Sequence, residues 1–298
     1  MKTRGRFLPR GSIVALVTPF KDGRLDRKGL KRLIEFQLEN GTDAIVPCGT
    51  TGESATLSYE EHERVVEMTL EYTNGCVPVI AGAGSNSTKE AIEITRHAAR
   101  AGADAALLIT PYYNKPTQEG LYQHFRAIAR EVDIPMILYN VPSRTSVNLL
   151  PETVARLSEY KNIIGIKEAT GDLKQIADLI VLCGERITVL SGDDFTTLPI
   201  LAIGGRGVIS VTANIAPADI SDMVHAFLRG DEKIALDLHR RLWPLHRAMF
   251  LETNPIPVKT ALGMMGLISP EMRLPLSPLS QANKDKLRKA LKAYGLLK

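Results

Sequence analysis

Eight apolar, β-branched runs recur along the chain: SIVALV, AIVPCG, VPVIAG, AALLIT, PMILYN, IIGIKE, ITVLSG and GVISVT. Each is followed by a stretch with helical spacing, of which DRKGLKRLIEFQLENG and SYEEHERVVEMTLEYTNG are two examples. Strand–helix units repeating about every 20–35 residues, eight times over, are the pattern of a (β/α)8 TIM barrel. A doubly wound open sheet would use the same units. Two observations favour closure: the count is eight, and no GxGxxG follows the first strand, where an open dinucleotide-binding sheet would carry it.

Local signals agree with this segmentation. Asn40-Gly41, Asn74-Gly75, Gly102, Gly184 and Gly230 stand where left-handed helix C-caps are expected. Pro78 and Pro135 precede strands, and Pro151 opens a helix. From about residue 232 only helical spacing remains, with Trp243-Pro244 inside one segment and KDKLRKALKAYGLL near the end. The expected organisation is a barrel over 1–231 with a short N-terminal extension, and an appended C-terminal helical region, 232–298, docked on it.

At 298 residues and 44% hydrophobic content the chain can bury a large core, and barrels of roughly 250 residues count as one domain. A formal charge of +4, spread along the sequence, gives no reason to expect nucleic acid or membrane as a partner. Cys48, Cys76 and Cys183 are odd in number and widely spaced, which fits a reducing compartment and argues against a disulfide frame or a zinc site. The opening MKTRGRFLPR is basic but no apolar stretch follows it, so the reading is a cytoplasmic protein, with a short transit peptide as the alternative.

In such a barrel the loops after the strands form the face that carries chemistry. Those positions supply Thr18, Thr50, Thr51, Tyr112, Tyr113, Tyr139, Arg144, Lys167, Ser191, Asp193, Asp194 and Thr212. Hydroxyls, phenols, one arginine and one lysine converge there without a histidine, so metal hydrolysis and a Ser-His-Asp arrangement both lose support. The six histidines, His62, His97, His124, His225, His239 and His246, fall in helical segments, where a solvated or interface position is the default.

Lys167 ends the apolar run NIIGIK. A dry, unpaired ammonium is costly, which leaves a structural ion pair, a side chain reaching back to water, or a reactive lysine of depressed pKa. Strand alternation puts Gly165 and Ile163 on its side, turns Glu168 outward, and sets Tyr139 opposite it. With apolar walls and no nearby anion, its pKa should fall toward about 7, and a neutral amine attacks carbonyls to form a Schiff base. The loop GTTGES, 49–54, could surround a small anion with backbone N–H groups and the Thr50 and Thr51 hydroxyls, or could be only a tight turn with Glu53 at a helix start. AGAGSNST, 81–88, reads as a turn capped by Asn86, Ser87 or Thr88. Arg144 is suited to a carboxylate but could equally be an exposed loop charge.

Taken together, LVTPF, GTTGES, PYYNKPTQEGLYQHF, YNVPSRT, GIKEATG, LSGDD, GVISVTAN and NPIPVK, in that order, resemble the dihydrodipicolinate synthase family of pyruvate-dependent class I aldolases. The resemblance covers nearly the whole chain from about Gly11. It implies a Schiff base on Lys167, a proton-shuttling phenol at Tyr139, and a proton relay completed by Thr50 and by Tyr113 from a neighbouring subunit. It further implies that Thr51 holds the pyruvate carboxylate, that Gly192 and Ile209 bind substrate, and that Arg144 holds the carboxylate of the second substrate, L-aspartate 4-semialdehyde. No cofactor is implied. N-acetylneuraminate lyase and keto-deoxy sugar acid aldolases are the enzymatic alternatives; Arg144 and the double threonine favour the small acidic aldehyde. A catalytically silent binding barrel is the alternative of another class, and no departure at Lys167, Tyr139 or Thr50 signals it.

Family members inhibited by lysine bind it at a subunit interface, and Ser54, Ala55, His62, Asn86, Glu90 and Tyr112 match that site. Tyr59 departs from the histidine common there. The resemblance also implies a homo-oligomer, usually a tetramer of two tight dimers.

Overall fold

The computed structural model describes residues 8–298, so most of the basic opening, and any role for it as a transit segment, lies outside the described residues. Eight parallel strands form one sheet: β1 (Gly11–Ala15), β2 (Ala44–Val46), β3 (Ile80–Gly82), β4 (Ala105–Ile109), β5 (Met136–Asn140), β6 (Ile163–Glu168), β7 (Thr188–Ser191) and β8 (Gly207–Ser210). Their hydrogen-bonded order is β2-β1-β8-β7-β6-β5-β4-β3. A parallel bridge between Ile45 and Val79 joins the two ends, so the sheet closes into the expected (β/α)8 barrel. The order follows from right-handed crossovers: each helix carries the chain back to start the next parallel strand beside the last.

Closure explains why the strands are apolar at nearly every position, because both of their faces are covered. Ile13, Val46, Ile80, Leu107, Ile137 and Ile209 fill the interior. Their strand neighbours Val14, Ile45, Ala106, Leu138 and Val208 face the helices. Those helices are α1 (Arg27–Glu39), α2 (Tyr59–Thr73), α3 (Thr88–Ala101), α4 (Gln118–Glu131), α5 (Pro151–Leu157), α6 (Leu173–Cys183), α7 (Thr197–Ala202) and α8 (Pro217–Leu228). Ser58 and Glu61 form a reciprocal capping box at the start of α2, and Ser87 caps α3. Gly41, Gly75, Gly102, Gly184 and Gly230 all adopt positive φ where helices end, as the sequence predicts.

α9 (Glu232–Met249), α10 (Ile256–Met264) and α11 (Gln281–Tyr294) follow the barrel. Leu242, Leu245, Met249, Val258, Leu287 and Leu291 join the same apolar cluster as the barrel helices. The Tyr294 hydroxyl donates to Asp219 Oδ2 at 2.7 Å, pinning α11 to the start of α8. Cys48, Cys76 and Cys183 are all free. Among the described residues, no helix is long and apolar enough to cross a membrane.

One strand departs from simple alternation. The register of β5 against β6 runs Met136 to Ile163 and then Ile137 to Gly165, so Ile164 is an extra residue on β6. The irregularity turns Ile164 inward and Ile163 outward among the helix-facing side chains. The expected inward placement of Ile163 is therefore corrected, while Gly165 and Lys167 keep the interior face.

Candidate active site

Beyond this irregularity, Tyr139 lies directly beside Lys167 across the β5–β6 ladder. The ammonium of Lys167 sits 4.3 Å from the centroid of the Tyr139 ring. Both side chains are buried, with 6% and 7% of their surface exposed. Burial lowers the lysine pKa to about 8; Asp194 opposes that fall and Arg144 adds to it. The expectation of no nearby anion is thus corrected. Asp194 is a neighbour, but its oxygens are held by Ser210 Oγ, by the Val211 and Thr212 N–H groups, and by the Thr212 hydroxyl. It acts on the lysine as a fixed charge at a distance. Burial likewise raises the Tyr139 pKa, against the lowering effects of Arg144 and of a hydrogen bond with the Thr50 hydroxyl. Glu168 points away from the interior, where Asn140 Nδ2 and the Thr170 N–H donate to it.

The loop after β7 lies against the lysine stem. A Cβ on Gly192 would come within 2.7 Å of the Ala169 Cβ and 3.0 Å of Lys167 Cγ, so Gly192 can offer only backbone here. Ile209 is buried in the barrel interior with Leu190 and Tyr139. Thr50 and Thr51 follow β2, with Thr51 the more deeply buried. Thr51 Oγ1 accepts from Asn254 Nδ2 at 2.9 Å. Arg144, in the short turn Pro142–Thr145, is exposed at the mouth and donates from Nη2 to the Asn254 carbonyl at 3.1 Å. Lys167, Tyr139, Thr50, Thr51, Gly192, Ile209 and Arg144 therefore gather at one end of the barrel. Tyr113 does not complete the group within one subunit: it is 87% exposed, in a left-handed backbone conformation at φ 72°. Among the described residues, no group of His, Cys, Asp and Glu is placed to hold a metal ion.

A buried lysine of lowered pKa is an amine that can add to a carbonyl and form a Schiff base. The model of the Dihydrodipicolinate synthetase family matches residues 8–294. The chain belongs to the dihydrodipicolinate synthetase family. It is 62% identical to the 4-hydroxy-tetrahydrodipicolinate synthase of Thermodesulfovibrio yellowstonii, over 97% of this chain and 99% of that protein. It superimposes with a TM-score of 0.95 on a chloride-inhibited dihydrodipicolinate synthase of Acinetobacter baumannii complexed with pyruvate, at 52% identity over 97% of this chain and 99% of that one. The enzyme of Cyanidioschyzon merolae, solved with lysine bound, gives a TM-score of 0.93 at 43% identity over 96% of this chain and 99% of that one.

The residues that the sequence resemblance assigns to a lysine site lie in the turn before α2, on α2 and about the start of α3, with Tyr112 following β4. Tyr59, His62 and Glu90 line a groove of about 560 Å³ between α2 and α3, together with Glu63, Ser87 and Glu93. Glu90 accepts from Ser85 Oγ at 2.8 Å and bonds the Tyr59 phenol. Burial, and then that bond with Glu90, raises the Tyr59 pKa. Ser54 and Ala55 occupy the turn before α2, while Asn86 Nδ2 donates to the Tyr112 carbonyl at 3.3 Å. The solvated half of the solvated-or-interface default fails for His62, His124 and His246, which are buried. Burial depresses His62 and His124 to about 4, so both rings are neutral.

Local sequence pattern gives no role to Asn254 and does not reveal the pairing of Glu53 with Lys259. NPIPVK carries both Asn254 and Lys259 and is apolar and proline-rich around them. The buried polar residues in that setting were the available signal.

Proposed function

We propose that the protein is a 4-hydroxy-tetrahydrodipicolinate synthase, condensing pyruvate with L-aspartate 4-semialdehyde through a Schiff base on Lys167. The observation that carries this reading is the isolation of that amine: its charge is buried over the Tyr139 ring, and no carboxylate of the described residues stands within ion-pair distance. With a pKa of about 8, roughly a tenth of the lysine is neutral at pH 7 and ready to attack.

The neutral amine adds to the keto carbon of pyruvate and water leaves, giving an iminium. The iminium draws electrons, so the methyl carbon loses a proton and becomes an enamine. That carbon bonds to the aldehyde carbon of the second substrate, whose oxygen takes up a proton. The amino group of the second substrate then attacks the imine carbon, closing the ring and expelling Lys167. The contact between the Tyr139 phenol and the Thr50 hydroxyl supports their carrying protons between these steps. Thr51 takes the pyruvate carboxylate, with Gly192 and Ile209 shaping the space around it. Arg144 receives the carboxylate of the aldehyde.

The exposure of Tyr113 supports a neighbouring subunit that covers it and brings its phenol to the relay, within a tetramer built from two such dimers. The groove at Glu90 supports feedback by L-lysine, with Glu90 receiving an amino group. Three free cysteines fit a cytoplasmic location.

Turnover is tested with pyruvate, aspartate semialdehyde and a coupled reductase, beside the Lys167→Ala variant. Loss of at least about 10³-fold in rate, together with loss of borohydride trapping of pyruvate, is the expected outcome. Near-native turnover in the variant would end the Schiff-base reading. Millimolar L-lysine should slow the native enzyme and leave Glu90→Gln unaffected; equal inhibition of both would place lysine elsewhere.

A further inference from the structure

Asn254 belongs to the appended helical region, yet it reaches the barrel mouth, 203 residues along the chain from Thr51 and 110 from Arg144. It is 95% buried, and it touches both groups that the reading above assigns to substrate carboxylates. A threonine hydroxyl has one proton and two lone pairs. Here one lone pair of Thr51 Oγ1 takes the Asn254 amide hydrogen at 2.9 Å, and among the described residues the hydroxyl donates to no acceptor. The Thr51 proton is therefore available to an anion in the mouth. Were the Asn254 amide reversed, Thr51 would give its proton to Oδ1 and could not hold a carboxylate. Among the described residues Asn254 Oδ1 is left buried without a donor, a cost that a residue kept for packing alone would not carry. The backbone carbonyl of the same residue meanwhile receives Arg144 Nη2 at 3.1 Å.

We propose that Asn254 is a positioning residue for both carboxylates: its amide turns the Thr51 proton toward pyruvate, and its carbonyl holds Arg144 at the mouth. The inference rests on the synthase reading, because it gives Thr51 and Arg144 their ligands. It also gives the appended region a part in substrate binding.

Asn254→Ala and Asn254→Asp are made alone and on Thr51→Val, and each is compared with the native enzyme. Turnover by the coupled assay gives KM for each substrate and kcat; borohydride trapping on Lys167 against pyruvate concentration gives iminium formation separately. Asn254→Ala should raise KM for pyruvate about tenfold while kcat at saturation changes less than about threefold. Asn254→Asp should raise it further, since a carboxylate accepts the Thr51 proton and repels the anionic substrate. On Thr51→Val, Asn254→Ala should add little, the non-additivity expected when one residue acts through the other. A native-like KM in Asn254→Asp, or effects that simply add on Thr51→Val, would overturn the proposal, as would a fall in kcat with KM unchanged. Asn254→Asp keeps the native shape and carries the test if Asn254→Ala fails to fold. A native enzyme that traps no pyruvate would overturn the synthase reading and this inference with it. Native trapping with unaltered variants would remove this inference alone.

Discussion

Lys167 in β6 and Lys259 in α10 each place an ammonium 4.3 Å from the centroid of an aromatic ring, Tyr139 for one and Phe20 for the other. Burial lowers the pKa of both. What separates them is the carboxylate. Lys259 is bonded directly to Glu53, and neither side chain has any exposed surface. The second oxygen of Glu53 accepts from the Arg273 N–H at 3.2 Å. The Arg273 guanidinium lies over Phe20 and forks onto Glu61. Among the described residues Lys167 has only Asp194, held at a distance by four donors of its own. Direct contact keeps the first ammonium charged and structural. The fixed, remote charge leaves the second free to give up its proton.

The comparison breaks if the two lysines respond alike to an isosteric apolar replacement. Lys259→Met strands a buried Glu53 and should cost about 3–5 kcal/mol, read as a lower midpoint in chemical denaturation. Adding Glu53→Gln should recover much of that loss, since the stranded charge is gone. Lys167→Met should do the opposite. The folded protein holds this lysine at about 8, against about 10.5 for an ordinary lysine. Between those values the unfolded chain binds the extra proton, so native stability rises with pH across the window, and below about pH 8 the cost of the buried charge is present in full. Removing it should stabilise the protein by about 3 kcal/mol at pH 7, a gain that fades toward pH 10.5. A destabilised Lys167→Met at pH 7 would mean that the ammonium has an anionic partner after all.

Lys167 was legible from its position at the end of an apolar run, and the barrel from the eightfold recurrence of such runs. Both are local patterns with a fixed period. Ile163 was misplaced because a single extra residue on β6 reverses the alternation before it, and no side-chain type marks such a bulge. Lys259 and Asn254 were missed for another reason. Their partners Glu53 and Thr51 are 206 and 203 residues away, so the pairing is set by closure of the fold and leaves no trace in local spacing. His62, His124 and His246 sit on helices, where solvent or an interface is the default, but the apolar face of a helix accepts a neutral imidazole. Asp194 stood beside Asp193 in LSGDD, and only the folded loop shows that one is fully bonded and buried while its neighbour is the partly exposed cap of a 3₁₀ turn.

Smaller effects sharpen the role of the remote carboxylate. The rate of borohydride trapping at saturating pyruvate should rise about tenfold per pH unit below about 8 and level off above it, because only the neutral amine attacks. Asp194→Asn then removes the carboxylate that, among the described residues, raises the proton affinity of Lys167, while keeping the side-chain shape. The midpoint should move below pH 8 by about half a unit to one unit, since an opposite charge favours the protonated amine. At pH 7 the variant would then trap pyruvate several times faster than the native enzyme under the same conditions. Some stability should be lost, because an amide offers one acceptor oxygen to donors that now share two. Faster trapping in a less stable protein is an outcome that general disruption of the site would not produce. A midpoint that stays at about 8 would show that Asp194 serves the loop alone and that burial by itself sets the lysine.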